Sequence, residues 1–229
     1  MSPSFALVLA PHPDDAELAC GGLILRWTGA GRRIVVADMT RGECGTLGSA
    51  EIRAAEAAAA STVLGLDERI NLGLPDAKLC DDEEAVQAVI KVIRQYQPEI
   101  LLAPLAKDLH PDHAATGAVA GKAFFLAGLK KLYPDLGGPH RPRLLLRYPL
   151  HEQLAPSFCV DISEVADRKQ EAIRCFASQL DGSGQSDPAR PNLLDRAEVR
   201  DRFYGARIGV RAAEPFASDG PLTLTGIEL

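Results

Sequence analysis

The chain has 229 residues, of which 46% are hydrophobic and 24% are charged, and its formal net charge is −6. This composition predicts a folded protein and argues against wholesale disorder. The acidic balance and the lack of a dense basic run argue against a nucleic-acid partner, and no apolar run is long enough to span a bilayer. Five scattered cysteines without a C-x-x-C pair indicate reduced thiols, so we expect a soluble cytoplasmic protein that acts on small molecules.

Strand-like and helix-like segments alternate along the first 130 residues. Short apolar runs predict buried strands at 5–10, 33–39, 69–72 and 99–103. Between and after them, apolar periodicity and caps, including Ser49 as an N-cap, predict helices at 16–28, 49–64, 81–96 and 113–129. This alternation is typical of a Rossmann-like α/β fold, a mostly parallel sheet with helices on both faces.

The second half of the chain is less regular. Strands are predicted at 144–148, 157–160 and near 222–224, and helices at 163–179, capped by Ser163, and at 193–210. We find no internal repeat and no linker composition. Residues 1–229 are therefore expected to form a single domain.

Two polar motifs follow predicted strands. The first motif is Pro11-His12-Pro13-Asp14-Asp15-Ala16-Glu17, and the second motif is His110-Pro111-Asp112-His113. Either motif alone could be only a turn, a helix cap or a polar loop. However, the two motifs hold three of the chain's five histidines, and ligands of parallel sheets bind beyond the carboxyl ends of strands. We therefore expect the two motifs to meet in space.

Together the motifs contain the ligands of a metal site. His12, Asp15 and His113 would supply two imidazoles and one carboxylate, a set that suits zinc and leaves a position open for water. Iron, including Fe²⁺, cobalt or manganese would also be accommodated.

The other polar residues of the motifs suit catalysis. Asp14 is adjacent to a ligand and is expected to be the general base that deprotonates water. His110 in its charged form could donate a hydrogen bond to a developing oxyanion, and Asp112 could orient a histidine ligand. This set predicts hydrolysis of an amide or an ester.

The paired motifs resemble the PIG-L (LmbE-like) family of zinc-dependent N-acetylglucosamine deacetylases. A segment after the second strand, from Thr40 to Glu43 with Gly45, Gly48, Arg53 and Glu56, is also similar. The resemblance covers nearly the whole chain. It implies the ligand, base and oxyanion roles given above, and it implies a homo-oligomer, a trimer or a hexamer.

Further positions are similar to the bacillithiol-biosynthesis branch of this family. They are Thr46, Phe124-Phe125, Gly128-Leu129, Pro156-Ser157-Phe158, Asp161-Ile162, Lys169, Ser178-Gln179, Arg202-Phe203-Tyr204-Gly205 and Glu214-Pro215-Phe216. The similarity implies removal of the N-acetyl group from N-acetyl-alpha-D-glucosaminyl L-malate, which releases acetate and a free amine. Pro215 departs from the branch, which more usually has glycine there.

Alternatives to this substrate and to this activity stay open. The substrate could be a mycothiol-type conjugate or a chitin-derived disaccharide, and the chain could be a non-catalytic sugar- or metal-binding module. A nucleotide-binding domain is disfavoured because the glycine-rich loop lacks the Gly-Lys-Ser/Thr of a P-loop.

Four side chains are candidates for substrate binding. Arg53 and Arg141 could bind the malate carboxylates, Glu43 could accept sugar hydroxyls or brace Arg53, and Tyr204 could close over the pocket. Each has a plainer interpretation, as an exposed arginine, a solvated loop carboxylate or a core tyrosine. His151, which follows a predicted strand, could also line the pocket.

Overall fold

Among the residues that the structure describes, the sheet has seven strands, and it is mostly parallel, as predicted. A computed structural model describes residues 5–152, 154–180 and 192–222. The strands are β1 Ala6–Ala10, β2 Ile34–Thr40, β3 Glu68–Leu74, β4 Ile100–Pro104, β5 Leu144–Tyr148, β6 Phe158–Asp161 and β7 Ala213–Ser218. Their spatial order is β3-β2-β1-β4-β5-β7-β6, with the first five parallel and β7 antiparallel to both of its neighbours.

In the described part of the chain, six helices and a short 3-10 turn connect the strands. They are α1 Asp15–Gly29, α2 Ala50–Leu64, α3 Glu83–Tyr96, α4 Pro111–Leu126, α5 Ala166–Arg174 and α6 Leu193–Ile208, with the 3-10 turn at Pro134–Leu136. Ser49 caps α2 as predicted, since its Oγ accepts the Ile52 N–H at 3.3 Å. Within the described ranges, each helix is too short or too polar to cross a membrane.

The central strands are buried on both faces. Because successive side chains point to opposite faces, Leu7 and Leu9 of β1 pack into the core under α3 and α4, and Ala6 and Val8 pack into the core under α1. This two-sided burial explains why β1 is apolar without alternation.

The C-terminal half differs from the sequence-based expectation in three places. Helix α5 begins at Ala166 and ends at Arg174, and Ser163 does not cap it, because its Oγ instead accepts the Ala212 N–H at 3.3 Å. Strand β7 was not predicted, since it contains a buried glutamate and a proline. Leu222 lies outside any strand, and residues 223 and 224 of the strand expected there lie outside the described residues.

Strand β7 also holds α1 in place. Helix α1 is interrupted at Cys20, whose φ is −139°, and the N–H groups of Gly22 and Leu23 donate to the two carboxylate oxygens of Glu214 at 2.8 Å each. The Lys169 ammonium lies 2.7 Å from Glu214 and 2.5 Å from Asp201. The helix that begins in the first motif is thus held by hydrogen bonds to β7, a strand near the C-terminal end of the described residues.

The chain order reverses between β1 and β4, which are hydrogen-bonded neighbours. In open parallel sheets this switch point leaves a crevice beyond the carboxyl ends of the two strands. The first motif follows β1, and the second follows β4 after a short loop. The fold therefore places both motifs at the crevice.

Candidate active site

The structure brings the two motifs together at the switch point. The ring centroid of His12 lies 5.3 Å from that of His113 and 4.9 Å from that of His110. Both motifs also start helices, because Asp14 is the N-cap of α1 and His110 is the N-cap of α4.

His12, Asp15 and His113 form a compact and buried donor set. Asp15 Oδ2 lies 3.1 Å from His12 Nδ1 and 3.4 Å from His113 Nε2. One potential ligand atom from each of the three residues lies within 4.8 Å of the other two. Two imidazoles and one carboxylate at this spacing fit zinc or another borderline divalent ion.

The second ring nitrogen of each histidine contacts a carboxylate. His12 Nε2 lies 3.2 Å from Asp112 Oδ2 and 3.2 Å from Asp76 Oδ1, and His113 Nδ1 lies 3.2 Å from Asp108 Oδ1. Metal-binding histidines typically donate their other N–H to such a partner, which fixes the tautomer and the ring orientation. The surroundings of the two rings therefore match those of metal ligands.

The charged groups of the donor set shift one another's pKa values. Burial opposes the charged forms, but the hydrogen bond and the charge of Asp15 raise the pKa of His12 to about 9. The contacts with His113 and His12 likewise outweigh burial and hold the pKa of Asp15 well below its usual value. Asp15 therefore stays an anion, as a metal ligand must.

Asp14 is buried and is held in an uncommon backbone conformation. Its φ is 123° and its ψ is −29°, a region that L-residues rarely adopt and that tends to occur at functional sites. Burial and the neighbouring Asp15 carboxylate raise the pKa of Asp14 to about 8, and the Arg53 guanidinium, 3.0 Å away, opposes this rise. A cation at the donor set would favour the charged form in the same way.

Arg53 contacts this carboxylate from α2. Its guanidinium also donates to the Pro13 carbonyl oxygen, and its Nε has no hydrogen-bond partner among the described residues. Gly42, at φ 67°, makes room for the guanidinium, because a Cβ at that position would overlap with it. Arg53 lines the cavity, and its guanidinium contacts Asp14 and the Pro13 carbonyl oxygen; its role in substrate binding stays a prediction.

His110 is half-buried at the edge of the donor set. Its Nδ1 accepts the Asp112 N–H at 3.2 Å, so a neutral ring carries its proton on Nε2. Burial and the charges of His113 and His12 lower the pKa of His110, which favours the neutral ring over the charged form expected from the sequence. A neutral imidazole with Nε2–H is still a hydrogen-bond donor.

A cavity of about 990 Å³ opens over these residues. Tyr204 and His151 line it, although the Tyr204 hydroxyl already donates to the Leu154 carbonyl oxygen at 2.8 Å and His151 Nδ1 lies 3.0 Å from Asp108. Tyr204 therefore lines the cavity while its hydroxyl is hydrogen-bonded to the backbone.

Two predicted substrate contacts lie elsewhere. Arg141 is exposed, donates to the Phe125 carbonyl oxygen at 2.8 Å and stacks 4.3 Å from the Phe125 ring centroid, so it does not line the cavity. The Glu43 carboxylate accepts the backbone N–H groups of Asp76 and Arg41 at 3.0 Å and 3.2 Å, which ties two loops together behind the cavity. The contacts of Arg141 with Phe125 and of Glu43 with Asp76 join residues that are distant in sequence.

Sequence reasoning missed two carboxylates, Asp76 and Asp108. Each follows a strand, Asp76 after β3 and Asp108 after β4, and this is the signal by which the first motif was recognised. Asp108 also accepts the backbone N–H groups of His110 at 2.9 Å and of His151 at 3.1 Å. It therefore organises three histidines at once.

Comparisons with known proteins identify a family and several relatives of this chain. Residues 7–124, which include both motifs, match the family described as PIG-L, GlcNAc-PI de-N-acetylase. Diacetylchitobiose deacetylase of Thermococcus kodakarensis is 31% identical over 188 residues, which cover 76% of this chain and 69% of that protein. A probable N-acetyl-alpha-D-glucosaminyl L-malate deacetylase 2 of Bacillus subtilis is 28% identical over 193 residues, or 77% of this chain and 83% of that protein.

The fold is shared with solved structures. The crystal structure of a conserved protein from Thermus thermophilus superposes with a TM-score of 0.88 at 38% identity, and the match covers 97% of each chain. The family match spans more than half of the 229 residues. The chain therefore belongs to the PIG-L family.

Proposed function

We propose that this protein is a metal-dependent deacetylase that removes the N-acetyl group from N-acetylglucosaminides. The observation that carries the proposal is the buried set of His12, Asp15 and His113, with the strained Asp14 carboxylate beside it. Zinc suits this donor set best, and Fe²⁺ is the main alternative.

Different side chains carry out the separate steps of amide hydrolysis. The chemistry that a divalent metal supplies when bound is that of a Lewis acid, which polarises an amide carbonyl and makes water more acidic. Asp14 takes the proton of the attacking water and passes it to the departing nitrogen, while Arg53 holds the Asp14 carboxylate in place. His110 donates its Nε2–H to the oxygen on which negative charge develops. The new bond joins the water oxygen to the acetyl carbon, the C–N bond breaks, and the products are acetate and a free amine.

The substrate that we propose is N-acetyl-alpha-D-glucosaminyl L-malate. The relative from Bacillus subtilis with this activity in its name supports the proposal at 28% identity. A chitin-derived disaccharide is the second candidate, favoured by the 31% identity to diacetylchitobiose deacetylase.

An amine-release assay tests both the deacetylase activity and the choice of substrate. Protein stripped with a chelator and reloaded with zinc or Fe²⁺ is given N-acetylglucosaminyl malate, diacetylchitobiose and the methyl glycoside of N-acetylglucosamine. We expect release only from loaded protein and the highest kcat/KM on the malate conjugate. A preference for diacetylchitobiose would make it the substrate in place of the malate conjugate. Metal-loaded protein that releases no amine from any of the three compounds would refute the deacetylase activity.

A matched variant controls for indirect effects of mutation. Arg141→Gln changes an exposed arginine away from the cavity and should keep the wild-type rates. The homo-oligomeric state and the cytoplasmic location stay predictions, and light scattering after size-exclusion chromatography tests the first.

A further inference from the structure

One wall of the cavity is a single face of α6. Four side chains of this helix that line the cavity and are exposed to solvent define the α6 wall: Arg196, Val199, Phe203 and Arg207. At about 100° per residue, Arg196, Phe203 and Arg207 point within about 40° of one another. Arginines thus stand near both ends of the wall, with apolar side chains between them.

The two arginines of the α6 wall have no charge partner in the described part of the chain. Other arginines of α6 do: Arg200 donates to Asp201 at 2.9 Å, and Arg202 lies 2.6 Å from Glu198. Glu152 lines the same cavity, yet no ion pair joins it to Arg196 or Arg207. The Arg207 guanidinium lies 5.9 Å from the centroid of the Phe203 ring and near the Cys159 thiol.

Guanidinium groups that have no charge partner among the described residues, and that line a cavity, are suited to binding anions. Each retains planar N–H donors whose geometry matches a carboxylate or a phosphate. Arg207 lies eleven positions after Arg196, or about 16 Å along the helix axis, so one small anionic group would contact one of them at a time.

The cavity has room for more than the reacting sugar. Its volume of about 990 Å³ lies at the upper end of the range for small-molecule pockets, about 300–1,000 Å³. A substrate whose acetamido group reaches Asp14 and the donor set leaves the rest of the cavity, of which the α6 wall is one side, for its aglycone. Val199 and Phe203, which are 67% and 56% exposed, offer apolar surface for this part.

We propose that the α6 wall is an aglycone subsite in which Arg196 and Arg207 bind an anionic aglycone, a carboxylate or a phosphate, of the N-acetylglucosaminide. This inference rests on the proposed deacetylase function and deepens it. It assigns substrate selection to Arg196 and Arg207, on an element distant in sequence from both motifs.

The test compares charged and neutral aglycones in variants of the α6 wall. The variants are Arg196→Gln, Arg207→Gln and the double variant, and Arg202→Gln on the same helix is the control. The substrates are N-acetylglucosaminyl malate, N-acetylglucosamine 1-phosphate and the methyl glycoside of N-acetylglucosamine.

The double variant should lose the preference for an anionic aglycone. The ratio of kcat/KM on the better anionic substrate to kcat/KM on the methyl glycoside should fall about tenfold or more, mainly through KM. The single variants then show which arginine holds the anion, and the two anionic substrates separate carboxylate from phosphate.

A binding measurement separates this inference from the deacetylase itself. Calorimetry with glucosaminyl malate and glucosamine 1-phosphate requires no turnover, and affinity for at least one should fall in the double variant but persist in Arg202→Gln. Loss of binding in the double variant without turnover in any protein would support the subsite and refute the deacetylase. Turnover with the same anionic-to-neutral ratio in the wild type and the double variant, or no binding of either anion to the wild type, would refute the subsite.

Discussion

Two of the clusters in which the protein buries charge are built differently. In the cluster between α1, α5, α6 and β7, the buried Lys169 lies between Glu214 and Asp201, and Glu214 also accepts two backbone N–H groups of α1. In the active-site cluster, carboxylates outnumber the cationic groups around the histidines. There the pKa of Asp14 rises to about 8, and Asp112 Oδ1 is buried without a partner among the described residues.

The difference separates a structural cluster from a functional one. Buried charges that are paired and hydrogen-bonded are typical of a scaffold. Buried carboxylates that crowd together, one of them on a strained backbone, need a cation that the protein side chains do not fully provide. Variants of the active-site cluster should therefore change metal content and rate, and variants of the Lys169 cluster should change stability.

The largest effect is expected from Asp15→Asn. The variant loses the carboxylate that faces both histidine ligands, so we expect purified protein without bound metal and amine release at background level. Elemental analysis by mass spectrometry measures the metal content. A stoichiometric metal content in this variant would show that Asp15 is not a ligand.

Asp14→Asn should separate rate from metal binding. The amide can no longer accept a proton from water, so kcat should fall by about 10²- to 10⁴-fold while the metal stays bound. Steady-state kinetics and elemental analysis on the same preparation measure both. Turnover at the wild-type rate would remove Asp14 as the base.

Glu214→Gln tests the other side of the comparison. Lys169 would keep only Asp201 as a charged partner in a fully buried site, so the free energy of unfolding should fall by about 3 kcal/mol. Denaturant titration measures this loss, and Arg202→Gln, which breaks the exposed pair with Glu198, should cost less than about 1 kcal/mol. Equal losses in the two variants would contradict the structural role of the Lys169 cluster.

Asp108→Asn should have the smallest effect of the four. The carboxylate orients His113 without belonging to the donor set, so metal affinity should weaken by about 10- to 100-fold. Competition with a chromophoric chelator measures the affinity. An unchanged affinity would indicate that the backbone alone positions His113.

Local patterns were sufficient for the first half of the fold and for the two motifs. Apolar runs such as β1 and caps such as Ser49 are visible within a few residues, and a histidine with two aspartates at a strand end is conspicuous. Arg141 shows what such patterns lack, because its stacking on Phe125 depends on how a loop returns to α4. Strand β7 was also not predicted from the sequence, because Glu214 can be buried only through its contacts with Lys169 and the α1 backbone, which are distant in sequence.

The interruption of α1 at Cys20 bears on how small an active protein of this kind can be. Both motifs lie within residues 7–124, the segment that the family match covers. Yet the backbone donors exposed at the interruption are satisfied by Glu214, about ninety positions beyond that segment. A fragment cut to the segment would retain the proposed ligands, base and oxyanion donor and still lack the Glu214 contacts with the helix that begins at Asp14 and Asp15. We therefore expect the shortest active fragment to be set by these contacts rather than by the motifs.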